Sequence, residues 1–165
     1  MNYSETFKVT TPSDREIAMT RVFNAPRHLV FDALTQPALV TKWLLGPPGW
    51  TMPICDIDLR VGGAYRFLWR NEKGKEMGSS GVFREIVPPD GYVATERFDD
   101  PWYEGEALIT YKLIEQNGIT TLILTMLCES TETRNVILRS GMEKGVAMSF
   151  DRLAELAGEP RTSEC

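Results

Sequence analysis

Asp56 and Asp58 stand two residues apart in a strand-like run, so both carboxylates project from one face, with Arg60 next on that face. Two acids so placed have the spacing for paired acid and base work. A strand-end acid followed by an arginine and Gly62-Gly63 is also what anchors a turn, and that structural role is the one expected for Asp58 and Arg60. Glu96 is the other carboxylate of interest, because burial in an apolar hollow would raise its pKa toward neutrality, where a carboxyl both gives and takes a proton. Alternation places it opposite to Val93 and Thr95, which leaves open which face of the sheet that is. The single histidine, His28, lies beside Pro26 and Arg27, a context that predicts a solvent-facing ring. Cys55, Cys128 and Cys165 form no CxxC or Cys/His cluster, so reduced thiols are expected, with Cys55 and Cys128 as small buried side chains. No GxSxG, HExxH, Walker-A or GxGxxG motif is present, and hydrolase, zinc-protease, P-loop and dinucleotide readings lack their signatures. No catalytic residue, metal ligand or cofactor is assigned, and the residue inventory leans against an enzyme.

The side chains suited to binding are more numerous. Phe67 and Trp69 share one strand-like run, Phe83 lies on the next and Tyr111 and Met126 on later ones, while Met142 and Met148 belong to a C-terminal helical stretch. Large aromatic and thioether groups with a few polar anchors are what line pockets for apolar or aromatic molecules; the same stripes also fill ordinary cores. With Trp43 ahead of the first glycine-proline break and Glu96 as a polar anchor, these residues form the candidate ligand wall. Trp102 and Tyr103 lie among acids in the stretch 98–104, a loop whose aromatics are placed to cover a cavity or meet a partner, or else to form a satellite cluster over the sheet edge.

These groups have to be positioned by a framework that the patterning predicts. Residues 16–23 alternate as a strand, with Ile17, Met19, Arg21 and Phe23 on one side. Pro26 then opens one short helix and Pro37 a second, which Gly46-Pro47-Pro48-Gly49 ends. Strand-like runs follow at 52–60, 64–70, 77–87, 92–98, 104–115 and 119–129, separated by glycine-rich or charged turns too short for anything but antiparallel neighbours. Leu138, Met142, Val146, Phe150, Leu153 and Leu156 then recur at spacings of three and four, predicting one long helix over 131–157 that Gly158 and Pro160 stop. Gly141 and Gly145 within it predict close backbone approach, a kink or a groove. The expected architecture is α+β: a curved antiparallel sheet of about seven strands against one long C-terminal helix, with two short helices after the first strand. A single helix cannot fill the concave face of such a sheet, so a cavity is expected between sheet and C-terminal helix.

Composition sets the outer bounds. A chain of 165 residues with 42% hydrophobic and 25% charged residues suits one domain, over 16–158, with a lead-in at 1–15 and a tail at 159–165. Its 23 acidic and 18 basic residues give a net charge of -5, which disfavours nucleic acid and anionic membrane surfaces. No apolar run reaches signal-peptide or membrane-spanning length, and the expected location is the cytoplasm. An open-edged sheet of this size is compatible with a homodimer.

Seven motifs stand in order along the chain: Arg21-Val22-Phe23-Asn24-Ala25-Pro26, Lys42-Trp43, Asp58-Leu59-Arg60-Val61-Gly62-Gly63, Gly81-Val82-Phe83-Arg84-Glu85-Ile86-Val87-Pro88-Pro89, Thr120-Thr121-Leu122, Ser140-Gly141-Met142-Glu143-Lys144-Gly145 and Asp151-Arg152-Leu153. Together they resemble the activator-of-Hsp90-ATPase-like branch of the START, or polyketide-cyclase-like, helix-grip superfamily. The resemblance implies a helix-grip fold with a cavity, in a group that spans ligand carriers, resistance and stress-response proteins, cyclases and chaperone regulators. Many relatives carry a Gly-Trp pair entering the last helix; here Gly141-Met142 and Gly145-Val146 stand instead. Three functions follow as expectations. The first is binding of a small apolar or aromatic molecule for carriage, sequestration or sensing. The second is a cyclase-like enzyme using a buried carboxylate. The third is a chaperone partner of the Hsp90-activator type, ranked last because those co-chaperones also use a separate N-terminal domain.

Overall fold

The computed structural model describes residues 3–158; Cys165, Pro160 and the tail at 159–165 lie outside the described residues. After a 3-10 turn at Ser4–Thr6 comes β1 (Lys8–Thr10), an edge strand paired antiparallel with β2 (Glu16–Phe23). Alternation in β2 turns Ile17, Met19, Arg21 and Phe23 to the interior, all at most 1% exposed. α1 (Arg27–Thr35) follows with Pro26 as its N-cap in extended conformation, φ -70° and ψ 152°. Pro26 therefore precedes the helix instead of forming its first residue. α2 (Pro37–Trp43) does carry its proline at the first turn, and Gln36 ends α1 and begins α2.

β3 (Trp50–Ile57), β4 (Ala64–Asn71), β5 (Glu76–Val87), β6 (Gly91–Phe98), β7 (Ala107–Gln116) and β8 (Ile119–Leu127) run as an antiparallel meander. The sheet order is β1-β2-β8-β7-β6-β5-β4-β3, so the first long strand closes against the last. Eight strands form among the described residues where about seven were expected, and the strand beyond that number is β1, whose three residues are too few to display a period. β3 stops at Ile57, short of residue 60, because Asp58 and Arg60 form the turn: Arg60 Nε donates to Asp58 Oδ2 at 2.9 Å.

The predicted long helix is two helices. α3 (Thr131–Arg139) is capped by Ser130, whose Oγ accepts from Thr133 N at 3.0 Å, and α4 (Met142–Leu156) starts after a break at Ser140-Gly141. Gly141 has φ +76°, a left-handed conformation that costs other residues roughly 1–2 kcal/mol. Ser140 offsets the interrupted ladder by donating to Ile137 O at 2.6 Å and accepting from Met142 N at 3.2 Å. The three-and-four spacing of apolar residues runs unbroken across this point, which is why periodicity alone reads through it. Gly145 faces Pro47, where an added Cβ would lie 3.4 Å from Cδ, an ordinary contact.

α4 packs through Phe150, 1% exposed, whose ring meets Phe23 at 6.0 Å, Phe7 at 6.1 Å and Trp43 at 6.2 Å between centroids. Trp43 is itself fixed, since its Nε1 donates to Ala33 O at 2.6 Å. Beside this cluster the Arg21 guanidinium lies 4.6 Å from the Phe23 ring centroid and donates to Asp151 Oδ1 at 2.9 Å. Arg21 is 1% exposed, so the desolvation of its charge is compensated by partners instead of water. Asp151→Ala removes one such partner and is expected to lower unfolding stability by about 1–3 kcal/mol in urea denaturation, with Asp151→Asn, which keeps an acceptor, losing less. Unchanged stability in Asp151→Ala would show that the pair contributes nothing.

Candidate functional site

The concave face of β4 to β7 is built by alternation. On β4, Tyr65, Phe67 and Trp69 fall at every second position, and on β6 so do Tyr92, Ala94 and Glu96. Antiparallel register brings Tyr92 opposite Tyr111, Ala94 opposite both Ile109 and Phe83, and Glu96 opposite Ala107. Of these residues all but Ala107, with Ile57 from β3, surround a hollow of about 100 Å³ whose other side is Leu34 of α1 and Trp43 and Leu44 at the end of α2. One small residue, Ala94, stands among the large ones in its wall, while Gly81 lets two strands approach closely, since an added Cβ there would fall on the Thr95 carbonyl oxygen and the Tyr65 ring. That close approach also seats Tyr65, whose hydroxyl donates to Thr95 O at 2.6 Å.

This placement corrects the expectation of a cavity between sheet and C-terminal helix. None of the lining residues belongs to α4, because α4 spends its apolar face on β2 and on Trp43. Its influence is indirect. Gly46 N donates to Ser149 Oγ at 2.9 Å, Arg152 donates to Gly46 O at 2.8 Å and to Trp43 O at 3.4 Å, and Trp69 Nε1 donates to Leu44 O at 2.7 Å. The segment after α2 is thus strapped between helix and sheet, and it carries Leu44 to the rim.

Of the residues predicted to form the ligand wall, Trp43, Phe67, Trp69, Phe83, Glu96 and Tyr111 line the hollow together. Met126, Met142, Met148 and Trp102 do not. Met126, 5% exposed, is part of the main core between β8 and the helices; Met142 packs at that core's margin; Met148 is 44% exposed, on the outer side of α4. Trp102 stacks edge-on against Phe98 and Tyr103, with the Tyr103 centroid 4.9 Å away. The loop aromatics therefore fold inward, and it is Tyr103, 6% exposed, that reaches the site. Tyr65 and Tyr92 also line the hollow, where the same alternation that puts Phe67 and Glu96 on a face puts them.

Glu96 faces the hollow, the alternative that the sequence left open. Its Oε1 accepts from the Tyr103 hydroxyl at 3.3 Å. Burial pushes its carboxyl up to about 7, against the smaller downward pull of that hydrogen bond. Burial, reinforced by the nearby Glu96 charge, likewise pushes the phenols of Tyr65, Tyr92, Tyr103 and Tyr111 well above their ordinary range. Neither Tyr92 nor Tyr111 has a hydrogen-bond partner for its hydroxyl among the described residues, so both phenols remain polar handles in an otherwise apolar wall. Asp56 and Asp58 are exposed on the outer part of β3 and its turn, and His28 is exposed on α1. Burial raises the Cys128 thiol, and burial with the neighbouring Asp56 raises Cys55 to about 11, which leaves both protonated and unreactive at neutral pH. Among the described residues no three His, Cys, Asp or Glu side chains converge in metal-binding reach, and no helix is long and apolar enough to cross a membrane.

Similarity to known proteins bears on the whole of this framework. No curated protein sequence matches the chain. A crystal structure of a protein from Rhodobacter sphaeroides is 27% identical, covers 91% of this chain and 96% of its own, and superposes with a TM-score of 0.85. A protein from Chromobacterium violaceum is 27% identical over 90% of this chain and 100% of its own, with a TM-score of 0.74. The AHSA1 protein from Silicibacter pomeroyi is 26% identical over 88% of this chain and 99% of its own, with a TM-score of 0.70. The family model described as Activator of Hsp90 ATPase homolog 1-like protein matches residues 24–158, from just before α1 through the end of α4. With the helix-grip arrangement of sheet and helices shared by these structures, the chain belongs to the Activator of Hsp90 ATPase homolog 1-like family.

Proposed function

We propose that this protein binds a small apolar or aromatic molecule in the hollow between the sheet and the α1–α2 pair, in a carrier, sequestration or sensing role. The observation that carries the proposal is the composition of the wall: large rings from β4 to β7 and from α2, a few phenol hydroxyls and one carboxyl around about 100 Å³ of space. A well-packed core leaves few voids larger than a water, and a water needs only about 10–15 Å³ by the same measure. An apolar cavity of about 150 Å³ holds a benzene ring. The hollow therefore suits a guest of a few heavy atoms, or a larger one if Leu44 and its strapped segment move aside.

The experiment is a thermal-shift screen with small apolar and aromatic compounds on the wild type and on Ala94→Leu. Ala94 is 1% exposed and on the floor of the hollow, so leucine would occupy the space a guest needs. A ligand at one hundred times its dissociation constant should raise the melting temperature by about 5–10 °C in the wild type and by little in Ala94→Leu. A panel without any shift, or equal shifts in both proteins, would refute a cavity ligand.

A second reading, proton transfer by Glu96 within the hollow, is favoured by its carboxyl at about 7, close to working pH. The same perturbation has a consequence for stability that can be checked without a substrate. A carboxyl whose pKa is raised on folding binds its proton more tightly in the native state. Its contribution is complete below the ordinary value of 4.5, declines as pH rises, and is fully lost above about 7. Glu96→Gln removes this dependence. It is expected to gain about 2–3 kcal/mol more over the wild type at pH 8 than at pH 5, measured by urea unfolding. An equal gain at both pH values would show that Glu96 titrates normally.

A further inference from the structure

Among the described residues, seven of the side chains lining the hollow are aromatic and one is an acid, and none is a lysine, arginine or histidine. Ring faces are electronegative and attract a cation placed over them, more strongly when it is desolvated. When ionised, Glu96 adds a negative charge whose hydrogen-bond partner, the Tyr103 hydroxyl, is neutral. The other groups that reach it electrostatically are Tyr65 from β4, Tyr92 on its own strand, Tyr111 from β7 and Cys128 after β8, all held protonated by burial. Arg97, the nearest base in sequence, is 59% exposed and lies 3.9 Å from Glu106 instead. A neutral apolar guest would leave the carboxylate buried without a counter-charge or force it to take a proton; either raises the cost of binding. A guest carrying positive charge removes that cost and meets the rings as well.

We infer that the hollow takes a small organic cation, an ammonium group on a compact apolar body, with the aromatic walls around the body and Glu96 as counter-charge. This rests on the proposal that the hollow is a ligand site and names the class of ligand. The volume of about 100 Å³ limits the guest to about four or five heavy atoms without rearrangement. The net charge of -5 favours the approach of a cation.

The test uses two probes of the same shape, tert-butylammonium chloride and tert-butanol, titrated at pH 8 and followed by NMR at the Trp69 indole and the Ala94 methyl. The ammonium should bind the wild type about ten-fold tighter than the alcohol. The ratio should fall to about one in Glu96→Gln, shrink at pH 5.5 as the carboxyl takes its proton, and both shifts should vanish in Ala94→Leu. An alcohol that binds as tightly as the ammonium, or a preference that Glu96→Gln leaves intact, would overturn the cation and leave the cavity reading standing. If neither probe moves the resonances of the hollow, both the cation and the cavity reading fall.

Discussion

Trp43 is the residue on which the arrangement depends. Its indole donates to Ala33 O and so closes α2 onto α1, its ring meets Phe150 of α4, and its carbonyl accepts from Arg152. It is 1% exposed, yet it also contributes to the wall of the hollow. Burying a large aromatic is worth several kcal/mol, and here that energy is coupled to where the roof of the hollow sits. A shift of α4 against β2 would pass through Phe150 to Trp43, and from there to Leu44 at the rim. α4, which lines none of the hollow, is thereby connected to its shape.

The floor obeys a different constraint. Curvature of an eight-stranded antiparallel sheet opens a concave face, but whether it is filled depends on side-chain volume at each inward position. Ala94 withholds volume where Tyr65, Phe83 and Tyr111 supply it. Placing Glu96 among them works against stability, since a carboxyl loses solvation there and recovers one neutral hydrogen bond. Departures of this kind from the best-packed core concentrate where a protein binds or reacts. Membership of a family and a shared helix-grip fold do not choose between those two uses, and the chemistry of this wall is what separates them.

Much of this was legible without coordinates, because the relevant periods are local. Alternation assigned β2 and β4 to β8 within a few residues, the prolines and glycines between them marked the reversals, and the face shared by Phe67 and Trp69 followed from a period of two. The misplaced residues share a cause. Met126, Met142 and Met148 are the right chemical type for a pocket, but type does not say that α4 and β8 stand apart from the hollow and give these side chains to the main core or to solvent. The unbroken stripe over 131–157 concealed the interruption at Gly141, since a left-handed residue turns the chain without disturbing the spacing of apolar side chains around it.

The sequence by itself determined the α+β class, the meander, the two short helices and the inward set on β4, because each rests on interactions between residues close in the chain. Tertiary structure alone decided that Glu96 faces the hollow, that α1 and α2 and not α4 form its other side, and that Tyr103 reaches back to the carboxyl. Those outcomes depend on pairings across the sheet and on contacts such as Phe150 with Trp43, between residues far apart in the chain. No local period encodes them; they are settled when the packing of the whole core selects one register and one helix position.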